Sequence, residues 1–164
     1  MLRSWPTDGS RTLSRKNEAE PAPLGRPALI DTGVWTWARD RRFPRLASWF
    51  NAHVAAGRVL VCDLVILELI RLAPNAARAG EVADRLDAFE SVPMPAVLWR
   101  RARELQLALA VTRDHRRVPP VDLLIAAAAE AADVPLIHYD RDYERIAAVS
   151  DLKQYWLLPQ GTLA

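Results

Sequence analysis

Residues 121–143 read VDLLIAAAAEAADVPLIHYDRDY, a pattern that indicates a helix leading into a buried strand. Large apolar residues followed by four alanines form a surface on which a helix packs closely against a neighbour. After Pro135, the apolar run Leu136-Ile137 is bounded by turn-forming residues, as in a buried strand. Asp122 lies near the helix start and Asp140 just after the strand. A strand followed by a carboxylate points to an α/β protein with its site at the strand ends.

The composition is that of a globular protein. The 164 residues are 51% hydrophobic and 26% charged, which suits one domain with a substantial core. Cys62 is the only cysteine, so an internal disulfide is impossible and a reducing compartment is favoured. The N-terminus lacks a secretory signal pattern, and no apolar run approaches the ~18–20 residues of a membrane span. We therefore expect a cytoplasmic protein with no membrane partner.

The chain reads as a leader followed by one domain. Residues 1–26 lack periodicity and are predicted to be a disordered leader, and residues 27–164 form a single domain. Strands that alternate with helices predict an α/β/α sandwich with a mainly parallel central sheet of about five strands. The predicted strands are 28–30, 59–62, 136–137 and 154–158, with a minor one near 91–94; the predicted helices are 34–39, 43–56, 64–72, 75–89, 96–112, 121–132 and 143–149.

Acidic residues recur where the predicted strands end. Asp31, Asp63 and Asp140 each follow a strand, although a carboxylate there also suits the cap of the next helix, the interpretation we favour for Asp63. Asp122 also suits a first helical turn, because the helix dipole favours negative charge there. Glu68 lies on an apolar helix face, so that either Arg71 or a cation must neutralise it.

Four acids from four elements could meet at one edge of the sheet: Asp31, Glu68, Asp122 and Asp140. Such a cluster without cysteine or a histidine pair suits Mg²⁺, with Mn²⁺ possible, rather than zinc. Two ions ~3.5–4 Å apart can bind a phosphodiester and activate water. His138, two residues before Asp140, is a supporting candidate.

Several motifs together resemble the PIN-domain ribonucleases. They are Asp31-Thr-Gly, Glu68 in VILELI, Asp122 in VDLLIAAAAE and the run from His138 to Tyr143. Within that family the chain is similar to the VapC-type toxins of bacterial toxin–antitoxin pairs, especially the actinobacterial branch ending in Trp-x-x-Pro-x-Gly, here Trp156–Gly161. The resemblance covers about residues 27–163.

The resemblance implies a Mg²⁺-dependent endoribonuclease that cleaves tRNA or rRNA. It also implies a homodimer and a VapB-like antitoxin whose C-terminal segment occupies the active-site groove. The implied metal ligands are Asp31, Glu68, Asp122 and Asp140, with Thr32 supporting the site through its hydroxyl. Gly33 departs from the larger residue of many relatives, and His138 from the usual Thr or Ser.

Three interpretations remain open at this point. Arginine clusters suggest contacts with phosphate, although the codon bias of a GC-rich genome also explains many arginines. The candidate RNA-binding residues are Arg39, Arg41, Arg42 and Arg141. Asp142 is a further supporting residue, which we expect to be the N-cap of the last helix while Asp140 binds metal. The alternatives to the ribonuclease are a PIN-like module that binds RNA or protein without catalysis, and a DNA-directed metal nuclease.

Overall fold

A computed structural model describes residues 21–163 and contains four strands and seven α-helices in this range. The strands are β1 (Ala28–Ile30), β2 (Val59–Leu60), β3 (Leu136–His138) and β4 (Gln154–Trp156). The helices are α1 (Thr32–Ala38), α2 (Pro44–Ala55), α3 (Asp63–Arg71), α4 (Ala76–Leu86), α5 (Val97–Val111), α6 (Pro120–Ala131) and α7 (Arg141–Ala147).

The sheet is parallel throughout, in the order β2-β1-β3-β4. This confirms the predicted α/β class, but the prediction of about five strands is wrong by one. The segment near 91–94 contributes a single bridge between Ser91 and Val61. Pro93 and Pro95 cannot donate backbone hydrogen bonds, so pairing does not extend beyond this bridge.

The topological switch point of the sheet lies between β1 and β3, because the connections that leave these two strands run to opposite sides. From β1 the chain passes through α1 and α2 to β2 on one side, whereas from β3 it passes through α7 to β4 on the other. Right-handed connections then place α1–α2 and α7 on opposite faces of the sheet. The crevice beyond the carboxyl ends of β1 and β3 is where open parallel sheets bind ligands.

The core is built as the apolar pattern of residues 121–143 indicates. β1 and β3 are buried at every position, and so is every residue of α6 from Leu123 to Ala129. The alanines allow close approach, and α6 packs mainly against α5. Trp35 lies in the core, whereas Trp99 is 67% exposed and lies outside it. No helix in the described part of the chain is long and apolar enough to cross a membrane.

The last six residues of the predicted leader contact the domain. Leu24 is buried; its backbone N–H donates to His53 Nε2 at 3.3 Å, and its carbonyl accepts from Arg58 Nη1 at 2.5 Å. The indole of Trp49 donates to the carbonyl of Ala22 at 3.0 Å. Residues 1–20 lie outside the described residues, so a disordered leader stays a prediction for them.

Two truncations should therefore differ in thermal stability. Deleting residues 1–20 should change the melting temperature little, because no pattern there predicts buried area. Deleting residues 1–26 should lower the free energy of unfolding by about 2–4 kcal/mol. The deletion removes Leu24, exposes the residues that Leu24 covers, and leaves His53 and Trp49 without their hydrogen-bond partners. Thermal melts of the two proteins measure the difference, and equal melting temperatures would contradict this expectation.

Candidate active site

Four elements bring their acidic side chains to the crevice beyond β1 and β3. Asp31 follows β1 directly, Asp140 lies two residues after β3, and Asp122 lies in the first turn of α6. Glu68 reaches the same place from α3, close enough for its charge to raise the pKa of Asp31. The structure thus brings together the four carboxylates that the sequence singles out.

Asp31 is held by two hydrogen bonds to its two oxygens. It is the N-cap of α1, where its Oδ2 accepts from the backbone N–H of Gly33 at 3.0 Å. Its Oδ1 accepts from the hydroxyl of Tyr143 at 2.7 Å. A Cβ atom at position 33 would lie 3.2 Å from Oδ2, so glycine leaves room for this carboxylate. Burial raises the pKa of Asp31, and the charges of Glu68 and Asp140 add to the rise, whereas the two hydrogen bonds oppose it.

Asp122 interacts electrostatically with the four other carboxylates at the site. Burial is the main cause that raises its pKa, and the charges of Asp31, Asp140, Asp142 and Glu68 add to the rise in that order, giving a pKa of about 8. Its Oδ1 lies 3.5 Å from the Tyr143 hydroxyl, at the limit of a hydrogen bond. A carboxylate that is costly to ionise beside other carboxylates is a group that a cation would stabilise.

Glu68 is oriented by a hydroxyl rather than by an arginine. Thr32 donates from Oγ1 to Glu68 Oε2 at 2.6 Å, the support that the resemblance implies for this threonine. Within residues 21–163 no ion pair joins Arg71 to Glu68. The sequence suggests that either Arg71 or a cation neutralises Glu68. Since Arg71 does not pair with it in this part of the chain, the cation is the interpretation that stays.

Asp140, and not Asp142 as expected, caps helix α7. Asp140 is the N-cap, and its Oδ1 accepts from the backbone N–H of Asp142 at 2.9 Å. Asp142 instead forms an ion pair with Arg145, which also lies 3.7 Å from Asp114. The prediction that Asp142 caps the helix is therefore wrong, because α7 begins at Arg141 rather than at Tyr143. One oxygen each of Asp122, Asp140 and Asp142 lies within 4.8 Å of the others.

His138 positions the backbone at Asp140. Its Nδ1 accepts from the Asp140 N–H at 3.1 Å, and its Nε2 lies 2.5 Å from Gln154 Oε1. Because Nδ1 accepts, the ring proton lies on Nε2, which donates to Gln154. Burial lowers the pKa of His138, so the ring is neutral at pH 7. The imidazole thus orders this turn through both of its ring nitrogens.

Sequence reasoning missed three residues at the site. Tyr143 begins the last predicted helix and is not among the predicted site residues, yet its buried hydroxyl contacts both Asp31 and Asp122. A buried tyrosine needs a hydrogen-bond partner, which is a signal that could have linked it to the acids. Arg145 and Asp114 had no such signal, because their contact depends on how α7 packs beside the loop before α6.

The four arginines predicted to bind RNA lie in different surroundings. Arg42 forms an ion pair with Asp40 at 2.8 Å, and Arg41 and Arg141 are exposed. Arg39 is half-buried at the C-terminal end of α1. Their contact with RNA stays a prediction.

The donor set fits a hard divalent cation. The oxygens of three carboxylates lie within coordinating reach of one another, and Asp31 and Glu68 interact with them electrostatically. Carboxylate oxygens are the ligands that Mg²⁺ and Mn²⁺ prefer, and bound cations would relieve the repulsion that raises the pKa values of Asp31 and Asp122.

Comparison with known proteins places this geometry in a family. Residues 28–149 match the PIN domain. Ribonuclease VapC18 of Mycobacterium tuberculosis is 36% identical over 136 residues, which cover 82% of this chain and 97% of that protein.

Two solved structures share the fold. DNA-bound VapBC from Salmonella typhimurium has a TM-score of 0.61 at 16% identity, covering 80% of this chain and 98% of that one. VapBC-5 from Mycobacterium tuberculosis, a member of the VapBC family of toxin–antitoxin systems, has a TM-score of 0.50 at 20% identity, covering 80% and 98%. The matched domain and the long alignment to a VapC ribonuclease together show that this chain belongs to the PIN-domain family, among its VapC-type ribonucleases.

Proposed function

We propose that this protein is the toxin of a type II toxin–antitoxin pair and acts in the cytoplasm as a Mg²⁺-dependent endoribonuclease on structured RNA, either tRNA or rRNA. The observation that carries the proposal is the meeting of Asp31, Glu68, Asp122 and Asp140 beyond β1 and β3. A binding module without catalysis would not need four carboxylates whose repulsion disfavours the folded protein. The similarity to a VapC ribonuclease supports RNA as the substrate.

The roles of the residues follow from their contacts. Asp31, Glu68, Asp122 and Asp140 would hold the cation, with Mn²⁺ as a possible substitute for Mg²⁺, and Asp142 lies close enough to contribute. Bound divalent cations supply Lewis acidity towards a phosphodiester and activate water for its hydrolysis. Tyr143 and Thr32 orient two of the carboxylates through their hydroxyls, and His138 orders the backbone before α7.

Two protein partners complete the proposal. A VapB-like antitoxin is supported by the solved relatives, which are VapBC assemblies. A homodimer is supported by exposed apolar side chains at Val97, Leu107 and Val111 of α5, three positions that share one helix face. The mass of the purified protein in solution, measured by light scattering, tests the dimer, and a monomer at all concentrations would contradict it.

The activity can be tested with total RNA. We expect the purified full chain to produce new RNA ends at a few discrete sites in tRNA or rRNA when Mg²⁺ is present, and none when EDTA replaces it. Sequencing of the new ends maps the sites. Binding of RNA without new ends would favour the non-catalytic module, and cutting of DNA in preference to RNA would favour the DNA-directed nuclease.

A further inference from the structure

Strand β4 carries no acidic residue, yet two of its side chains, Gln154 and Trp156, contact His138 beside the acidic cluster. β4 pairs with β3 in a register that places Trp156 next to His138. The His138 ring also packs against Tyr143, and the centroids of the Tyr143 and Trp156 rings lie 5.0 and 5.1 Å from its own. Since no part of His138 is exposed, its two ring nitrogens need partners inside the protein.

The backbone amide of Asp140 fixes the position of the proton on this ring. Its N–H lies 3.1 Å from Nδ1 of His138, and a backbone N–H can only donate, so Nδ1 carries no proton. The proton of the neutral ring is then on Nε2, which lies 2.5 Å from Oε1 of Gln154. In the described part of the chain, Gln154 is the one hydrogen-bond partner of Nε2. The other tautomer would place two donors together at Asp140 and set Nε2 against a carbonyl oxygen.

A histidine at position 138 depends on this second partner. A serine or threonine hydroxyl there would rotate to accept from the Asp140 amide without further help. An imidazole accepts at Nδ1 only while its proton is on Nε2, and the hydrogen bond that Nε2 makes sets the tautomer. The role of His138 at the site is therefore coupled to the residue at position 154.

The position of the Asp140 carboxylate depends on the backbone that His138 holds. The Asp140 N–H is bound by the imidazole, and its Oδ1 accepts from the N–H of Asp142 at 2.9 Å. One carboxylate oxygen of Asp140 lies within 4.8 Å of one oxygen each of Asp122 and Asp142. Mg²⁺ demands near-ideal geometry at about 2.0–2.1 Å from its ligands, so a shift of this backbone would weaken its coordination.

We propose that Gln154 is a positioning residue for the metal ligand Asp140 and acts through His138. Gln154 holds the imidazole in the tautomer whose Nδ1 accepts from the Asp140 amide, and this hydrogen bond aims the Asp140 carboxylate at the cation. The inference rests on the proposed function, which assigns Asp140 to the metal site. Partners that orient a metal ligand from outside the coordination sphere change metal affinity when they are replaced.

The first test measures the affinity for Mn²⁺ without RNA. Gln154→Leu removes the acceptor with a side chain of similar size, and Gln160→Leu makes the same change at an exposed position after β4 and is the matched control. Free Mn²⁺ is followed by electron paramagnetic resonance as the purified full chain is titrated. We expect Gln154→Leu to weaken Mn²⁺ binding about 10-fold and Gln160→Leu to leave it unchanged. Equal affinities of these two variants would overturn the proposal.

A double-mutant cycle separates this role from a general loss of structure. His138→Asn keeps an oxygen that can accept from the Asp140 amide, as in an Asx turn, but it has no second ring nitrogen for Gln154 to bind. Gln154→Leu should therefore weaken Mn²⁺ binding in the wild-type background and have no further effect in the His138→Asn background. An equal loss in both backgrounds would show that Gln154 does not act through His138.

Nitrogen NMR of the metal-free protein reads the tautomer directly. The signals of His138, assigned by their absence from His138→Asn, should show the proton on Nε2 in the wild type and a smaller share of this tautomer in Gln154→Leu. A wild-type ring with its proton on Nδ1 would overturn the proposal even if a variant did not fold. Neither measurement uses RNA, so failure of this proposal is distinct from failure of the ribonuclease activity, which the cleavage assay detects.

Discussion

Replacing Asp122 by asparagine is expected to abolish RNA cleavage and also to raise the melting temperature of the metal-free protein. The loss should be at least about 100- to 1000-fold, since metal ions contribute several kcal/mol to such transition states. The gain in stability comes from removing a carboxyl whose pKa is raised to about 8, first by burial and then by Asp31, Asp140, Asp142 and Glu68. We expect the free energy of unfolding to rise by on the order of 1–3 kcal/mol. Each kcal/mol should raise the melting temperature by roughly 2–4 °C.

The pH dependence follows from the direction of this shift. A folded-state pKa above the ordinary value of 3.8 means that the folded protein holds the proton more tightly than the unfolded chain. The wild type should therefore lose stability as the pH rises from 3.8 to about 8, and Asp122→Asn should lose less over the same range.

Thermal melts in EDTA across this pH range, with RNA cleavage in Mg²⁺, measure both effects. Asp151→Asn makes the same chemical change at an exposed position and should alter neither. Mg²⁺ should raise the melting temperature of the wild type but not of Asp122→Asn. Full cleavage by Asp122→Asn would contradict the assignment of this residue to the metal site.

Substitutions of Asp140 should separate capping from catalysis. Asp140 accepts the N–H of Asp142 as the N-cap of α7, a role in which asparagine is as effective as aspartate. Asp140→Asn should therefore remain stable but lose cleavage, because a neutral amide does not supply the charge that holds a cation. Asp140→Ala should lose cleavage and, in addition, about 0.5–2 kcal/mol of stability.

Asn75→Ala is the matched control for the stability that is lost when a helix N-cap is removed. Asn75 caps α4 by accepting the N–H of Arg78 at 3.0 Å, on a helix that contributes no acid to the cluster. It should lose a similar stability and keep full cleavage. Cleavage assays and thermal melts of the three variants decide the matter, and a stable, fully active Asp140→Ala would show that neither role is correct.

Much of the architecture was predictable because it depends on local patterns. The apolar run of β3 and the alanine-rich helix before it lie where the spacing of residues 121–143 indicates. The acids at strand ends were predictable in the same way, since the carboxyl ends of parallel strands share one edge. Element boundaries depend on more than the local pattern: α7 begins two residues earlier than expected, and this shift gives the capping role to Asp140 instead of Asp142.

The contacts that orient the acids could not be predicted, because they join residues far apart in sequence. Tyr143 reaches Asp31 across 112 positions, and Leu24 reaches His53 across 29. The sequence by itself determined the fold class, the order of the elements and the four acids, since periodicity and strand-end position are local properties. The tertiary structure alone decided which hydroxyl holds Asp31 and which carboxylate caps α7, because buried polar partners are selected by packing between elements.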